Sequence, residues 1–290
     1  MSIRIITDSG ADIPRNMGAS PRADLTILPM HVYFGEKEFQ DGVDLTHRQF
    51  YEMLIESEEL PKTSQIPPYE FEQVYKEAVE AGEQVVVITI SGKLSGTYQS
   101  ACMAAGEYQG QVFVVDSLNA TLGERCLVDY ALRLKDQGMA AKEIAAELEQ
   151  ARKRIRLLAL LDTLEYLKKG GRISKSVAMV GGMLSIKPVI SLVDGEVVML
   201  GKARGSRNGS NLLVQEIGKA GGVDFSMPYY LGYTGLDDHM LRKYVEDSRA
   251  LWEGHVDHLD STPVGGTIGT HIGPGAIGVF FFAAEGDAPA

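Results

Sequence analysis

The segment Ser91-Gly-Lys-Leu-Ser-Gly-Thr-Tyr-Gln-Ser-Ala101 holds the densest run of residues able to do chemistry. It follows the apolar, β-branched run Val85 to Ile90, which reads as a buried strand, and precedes a helical pattern from Tyr98 to Tyr108. A strand that turns through glycines and hydroxyls into a helix presents unpaired N–H groups and the positive end of the helix dipole. With Ser95, Gly96 and Thr97 at that turn, the site suits an anionic head group. It has no Walker lysine and no serine flanked as Gly-x-Ser-x-Gly. The plainer alternative is that Ser95 only caps its helix.

Thr63-Ser64-Gln65 precedes Pro67-Pro68 and a helix running to Ala81, so it marks a second helix N-terminus. Thr63 is either an ordinary cap or a second hydroxyl facing the same anion. Both loops precede helices of neighbouring βα units, and both can open on one edge of a sheet.

Asp8-Ser9-Gly10-Ala11-Asp12 ends the first strand, where ligands of α/β sheets gather. Its carboxylates suit a metal or acid–base pair. They equally suit a turn in which Asp8 and Ser9 satisfy backbone N–H groups and Asp12 caps. The turn is favoured, because no third oxygen-rich cluster accompanies them. His271 precedes the turn Gly273-Pro-Gly275, and a Ser95–His271–Asp8 triad can be drawn if the three share a pocket. His255 and His258 are exposed residues or a metal pair. Arg172, after Gly170-Gly171, fits a phosphate, a carboxylate or an interdomain ion pair. Lys202-Ala-Arg204-Gly-Ser-Arg207 is a basic patch for an acidic partner or a nucleotide phosphate, or else a solvated loop. Gly273 to Gly278 matches GxGxxG but leads into a strand, the reverse of the dinucleotide context.

The elements that must position these residues alternate in the first half. Strands are predicted at Ile3 to Thr7, Leu25 to Phe34 with a hairpin continuation to Gln40, Val85 to Ile90, and Val112 to Asp116. Helices are predicted at Thr46 to Glu58, Pro68 to Ala81, Leu122 to Gln137 and Lys142 to Arg154. Such alternation argues a parallel sheet. The second half mixes hairpins and helices. Strands are expected at Leu157 to Leu161, Lys187 to Leu192, Glu196 to Leu200, Tyr229 to Tyr233, Val256 to Leu259 and Ile277 to Ala283. Asp194-Gly195 marks a hairpin turn. Helices are expected at Thr163 to Lys168, from Gly170-Gly171-Arg172 to Gly181-Gly182, at Gly209 to Ala220 and at Asp237 to Trp252. The fold class is α/β, with an N-terminal parallel-sheet α/β domain (residues 1–155) and a C-terminal α+β domain (residues 156–290).

The chain has 290 residues and a formal net charge of -11 without a basic run, which argues against nucleic acid and anionic membrane surfaces as partners. The two cysteines, Cys102 and Cys126, have no zinc or redox spacing and read as reduced core thiols. A start that enters a strand directly, without a signal or transit pattern, and no apolar run of membrane-spanning length lead to an expected cytoplasmic location.

Taken in order, Thr7-Asp8-Ser9 with Asp12 and Pro14, Thr63-Ser64-Gln65, Ser91 to Ala101, Val115-Asp116-Ser117, Gly171-Arg172-Ile173-Ser174, Leu184 to Pro188 and His271 to Gly275 resemble the DegV family over essentially the whole chain. The Leu94 to Ala101 segment is the most specific part. The resemblance implies a two-domain protein without catalysis of its own that holds a long-chain fatty acid, such as palmitate, in an apolar tunnel between or beside the domains. It implies no metal and no other cofactor. It implies that Thr63 and Ser95, with Gly96 and Thr97, grip the carboxylate, and that His271, Arg172 and Ser117 support them. Some members serve a separate soluble kinase subunit that makes an acyl phosphate, and Arg204 matches the position linked to that partner. The sequence departs from the family pattern at Gly10, Gly92 and Ile66-Pro67-Pro68, but Thr63 and Ser95 are retained. Burying a tail of ~16 carbons offers on the order of 10 kcal/mol before entropic costs, so the tail would set affinity and the clamp orientation. The Met-rich stretch Met179 to Met183 is a candidate tunnel lining. The rival reading is a serine-dependent hydrolase or acyl transferase using Ser95 and His271.

Overall fold

A computed structural model describes residues 2–15, 20–173 and 186–284. The expected helix after Gly171, the stretch Met179 to Met183 and the tail from Asp287 lie wholly or mostly outside them. The first half runs β1 (Ile3–Asp8), β2 (Leu25–Leu28), β3 (His31–Phe34), β4 (Lys37–Gln40), α1 (His47–Glu56), β5 (Lys62–Ser64), α2 (Pro68–Glu80), β6 (Gln84–Thr89), α3 (Thr97–Ala105), β7 (Val112–Asp116), α4 (Thr121–Asp136) and α5 (Ala141–Ala151). The second half runs β8 (Ile155–Leu160), α6 (Glu165–Lys169), β9 (Ile186–Val193), β10 (Glu196–Arg204), α7 (Ser206–Lys219), β11 (Tyr229–Tyr233), α8 (His239–Asp247), β12 (Ser261–Pro263), α9 (Gly266–Ile272) and β13 (Ile277–Phe282).

Three sheets result. Strands β2-β1-β6-β7 form a parallel sheet, with Ile5 opposite Val86 and Val86 opposite Phe113. Its central strands are apolar on both faces, as a sheet covered by helices on two sides requires. Strands β4-β3-β5 form a small antiparallel sheet, and β10-β9-β8-β13-β11-β12 a mixed six-stranded one. The α/β class with a parallel first sheet is the expected one. A large apolar core runs from Ile5, Val86 and Leu127 through to Leu157, Ile190 and Phe282, so the parallel and six-stranded sheets share it.

Several local expectations fail for identifiable reasons. Leu25 to Phe34 is not one strand. Pro29, which has no N–H to donate, separates β2 in the parallel sheet from β3 in the small one. Val256 to Leu259 is not a strand; Ser261–Pro263 pairs with β11 instead, and parallel to it. The basic patch is not a loop. Lys202 to Arg204 end β10, Gly205 turns at φ +77°, and Ser206 and Arg207 open α7. Cys126 is buried, but Cys102 is exposed rather than a core thiol.

The β9–β10 hairpin follows its signal, with Asp194 and Gly195 at φ +49° and +81°. Its tip reaches the first half: Ser91 Oγ donates to Gly195 O at 2.9 Å. Helix α9 crosses in the same direction and packs on α1, β3 and β5.

Candidate functional site

One cavity collects four of the predicted residues. It lies where the carboxyl end of the parallel sheet meets β5, α9 and the inner face of β8–β10. Thr63, Ser95, Arg172 and His271 are among the polar residues that line it, and Leu94, Leu157, Leu167, Ile190, Leu192 and Val197 are among the apolar ones. Its free volume is about 70 Å³.

Thr63 arrives on β5, paired with Val32 of β3, and so comes from the small antiparallel sheet rather than from a βα unit of the parallel one. Its Oγ1 is 2.8 Å from His271 Nε2. His271 sits in the last turn of α9. Its Nδ1 is buried without a hydrogen-bond partner among the described residues. Burial, and then the positive charge of Arg172, push its pKa down to about 4, so the ring is neutral at neutral pH. A neutral ring with a proton on Nε2 donates to Thr63 Oγ1 and leaves the threonine O–H for another acceptor.

Ser95 sits at the turn from β6 into α3, and its N–H donates to Ser91 O at 3.1 Å. Its Oγ is 2.9 Å from Thr97 Oγ1 and accepts from Thr97 N–H at 3.3 Å. Thr97 Oγ1 in turn accepts from Ile66 N–H at 3.4 Å. If the Thr97 hydroxyl donates to Ser95, the Ser95 proton is released toward the cavity. The Thr63 and Ser95 hydroxyls are therefore each backed by a second group able to occupy the acceptor side.

Arg172 is half-buried. Its Nε donates to Leu94 O at 3.1 Å and its Nη1 to Gly170 O, which ties the guanidinium to the segments that carry Leu94 and Gly170. Burial lowers its pKa, but from so high a value that it stays charged. The other predicted residues have different places. Gly96 and Thr97 do not line the cavity; Thr97 is buried behind Ser95, and the Gln65 side chain packs on Gly96, with Gln65 Nε2 donating to Ser100 Oγ at 3.0 Å. Ser117 is buried outside the cavity. Its Oγ donates to Asn119 O at 3.1 Å, and that carbonyl also accepts from Ser91 N–H at 2.8 Å. Arg204 lies exposed at the end of β10, apart from the cavity.

The triad does not assemble. Ser95 bonds Thr97 and His271 bonds Thr63, while Asp8 accepts from Gly10 N–H and Ile90 N–H, both at 2.9 Å. Asp8 and Ser9 do satisfy backbone groups, since Ser9 Oγ accepts from Met30 N–H at 3.0 Å. Asp12 does cap a helix, but a distant one, accepting from Gly265 N–H at 2.7 Å. His255 stacks on Phe225, and His258 lies 3.2 Å from Asp260. Among the described residues no group of three or more His, Cys, Asp or Glu could hold a metal ion. None of their helices is long and apolar enough to cross a membrane.

Sequence reasoning missed the carboxyl groups behind the cavity. Asp41 and Glu124 are buried with Asp8, Asp12 is half-buried, and desolvation raises the pKa of all four, Asp8 to about 7 and Asp12 to about 8. Nothing in a sequence separates a buried carboxylate from an exposed one. The usable signal was in the glycines: Gly265, Gly266 and Gly269 pack so closely that a Cβ on Gly269 would lie 2.6 Å from Phe50 Cε1 and from Tyr51 Oη.

Comparison with known proteins shows what the chain is similar to. A DegV domain-containing protein of Deinococcus radiodurans is 34% identical over 284 residues, which span 96% of this chain and 98% of the relative. The structure of a Thermus thermophilus DegV family protein described as binding fatty acid superposes with a TM-score of 0.86 at 32% identity, covering 98% of this chain and all of the other. A stearic acid-binding protein of Eubacterium ventriosum superposes with a TM-score of 0.84 at 28% identity, covering 97% of each chain. The profile of the family, described as uncharacterised DegV proteins, matches residues 2–284, and the chain belongs to the DegV family.

Proposed function

We propose that this protein binds one long-chain fatty acid with its carboxylate between the hydroxyls of Thr63 and Ser95 and its tail among the apolar walls of the cavity. The observation that carries this reading is that Thr63, from the small sheet, and Ser95, from the turn after β6, line one largely apolar cavity. The fatty acid-binding descriptions of the Thermus and Eubacterium proteins support the ligand class. Thr63 backed by neutral His271 and Ser95 backed by Thr97 each offer an O–H, and Arg172 supplies positive charge nearby. Hydroxyl donors hold a carboxylate without a bidentate ion pair, which leaves its oxygens able to react. Sites that enclose small ligands usually measure roughly 300–1,000 Å³. The cavity is far smaller, so a long acyl chain requires the lining Leu, Ile and Met30 side chains to move apart.

The protein performs no chemistry itself in this reading, but presents the carboxylate to a soluble kinase subunit that forms an acyl phosphate. Arg204, exposed at the end of β10, is the contact assigned to that subunit. The rival hydrolase needs a base on Ser95, and the observed partner of Ser95 is Thr97. A serine-directed fluorophosphonate, with hexadecanoate titration alongside, separates the two. The binding reading expects hexadecanoate binding and no labelling of Ser95; labelling with ester turnover would favour the hydrolase.

A further inference from the structure

The first three N–H groups of the α9 segment end on carboxylates from the opposite end of the chain. Gly265 N–H donates to Asp12 Oδ1 at 2.7 Å, Gly266 N–H to Asp41 Oδ1 at 3.0 Å, and Thr267 N–H to Asp41 Oδ2 at 3.1 Å. Gly265, the N-cap residue, has no side chain with which to cap its own helix. Asp41 uses both oxygens on successive N–H groups, which fixes the helix start in rotation as well as in position. Asp41 is held in turn. Its N–H donates to Met30 O at 2.9 Å, and Ser9 Oγ donates to its Oδ2 at 3.2 Å.

Asp41 directly follows β4, and β3 pairs with β4 on one side and with β5 on the other. One three-stranded sheet therefore carries both Asp41 and Thr63. Helix α9 is fastened to that sheet at its start through Asp41 and in its last turn through the His271–Thr63 bond. Its seven residues span about 10 Å. Between the two fastenings, Gly269 presses on Phe50 and Tyr51 with no room for a side chain. A shift at the capped end is therefore transmitted along a short, tightly seated rod to the imidazole.

The geometry points to Asp41, assisted by Asp12, as a positioning residue that sets His271 against Thr63 and so orients the clamp hydroxyl. The inference rests on the fatty acid-binding reading. Neither carboxyl lines the cavity. What matters at Asp41 is two acceptor oxygens in one plane. Asn in its place would keep one acceptor and turn an amide N–H₂ toward a backbone N–H. Asn at position 12 keeps the single acceptor used there, in a left-handed conformation (φ +50°) that Asn tolerates.

The test compares wild type, Asp41→Asn, Asp12→Asn, His271→Ala and the double variant Asp41→Asn/His271→Ala. Hexadecanoate affinity is measured in each, and the His271 imidazole is titrated by NMR in the fatty acid-free protein wherever the histidine is present. Asp41→Asn is expected to weaken hexadecanoate binding roughly tenfold, Asp12→Asn less so. The His271 midpoint is expected to move upward in Asp41→Asn, and the loss of affinity to vanish once His271 is absent. An equal loss with and without His271, an unmoved His271 titration, or equal losses in the two asparagine variants would overturn the assignment. A His271→Ala protein that binds hexadecanoate like wild type contradicts the clamp reading instead, and the His271 titration then decides the positioning role alone. Should Asp41→Asn not fold, Ser9→Ala removes one hydrogen bond from Asp41 and carries the same readouts, with a smaller shift expected in the same direction.

Discussion

Thr63 and His271 stand 208 residues apart in the sequence, and Thr63 Oγ1 lies 2.8 Å from His271 Nε2. This bond joins a strand of the small sheet to a helix from near the chain's far end, and both residues line the cavity. It makes the proposed clamp a product of the whole fold rather than of one loop.

Removing either clamp hydroxyl should weaken the head-group interaction and leave the fold intact. Thr63→Ala and Ser95→Ala are each expected to reduce hexadecanoate affinity by about 1–2 kcal/mol, or roughly five- to thirtyfold. Isothermal titration gives the affinity, and circular dichroism checks the fold. Unchanged affinity in both variants would refute the clamp.

The tip of the β9–β10 hairpin should prove to be part of the clamp's foundation. Gly195 has φ +81°, and a Cβ on it would collide with Ser91 Oγ. Ser91 O in turn accepts the Ser95 N–H. Gly195→Ala is therefore expected to lower both stability and hexadecanoate affinity. Gly205→Ala, at φ +77° and ψ 160° with open space around it, should show only backbone strain of roughly 1–3 kcal/mol. Equal effects of the two on binding would remove Gly195 from the account.

Stability should decline on the alkaline side of neutrality. Burial holds Asp8 and Asp12 protonated up to about pH 7 and 8, whereas the unfolded chain releases those protons near 3.8. A group with a raised folded pKa stabilises below its unfolded value, and that contribution is lost as pH rises through the folded one. His47 and His271 act with the opposite sign. Burial keeps each neutral down to about pH 4, so below 6.5 the unfolded chain binds more protons and stability falls as the pH is lowered. Above 6.5 the histidine effect is spent. Between pH 6.5 and 8.5 the urea midpoint should drop, with a slope of about 1.4 kcal/mol per pH unit for each carboxyl still protonated. Asp12→Asn should flatten the decline; an identical slope in that variant would mean Asp12 is already ionised.

Much of this site was legible because its parts carry local signals. Ser95 and Thr97 follow an apolar strand and open a helix, and Asp194-Gly195 between strands announces its own turn. The assembly was less legible. Strand β5 is three residues long, too short to show a period, so Thr63 read as part of a helix N-terminus, either a cap or a second hydroxyl for the anion, and not as a strand residue paired with Val32. Residues Leu25 to Phe34 are uniformly strand-like, and only Pro29 divides them between two sheets. Asp41 and Glu124 owe their burial to contacts made by distant segments, which no local window contains.

The exposed Arg204 should separate binding from kinase use. Arg204→Ala is expected to keep hexadecanoate affinity within about twofold, since the side chain is remote from the cavity, and to lose acyl-phosphate formation with an ATP-dependent kinase subunit. Retained acyl-phosphate formation would take Arg204 out of the partner contact.

Native mass spectrometry of the purified protein, followed by organic extraction and lipid identification, tests the central claim most directly. Close to one long-chain fatty acid per chain is expected, either carried through purification or taken up on incubation with hexadecanoate. A protein that is empty as purified and stays empty after that incubation would contradict it.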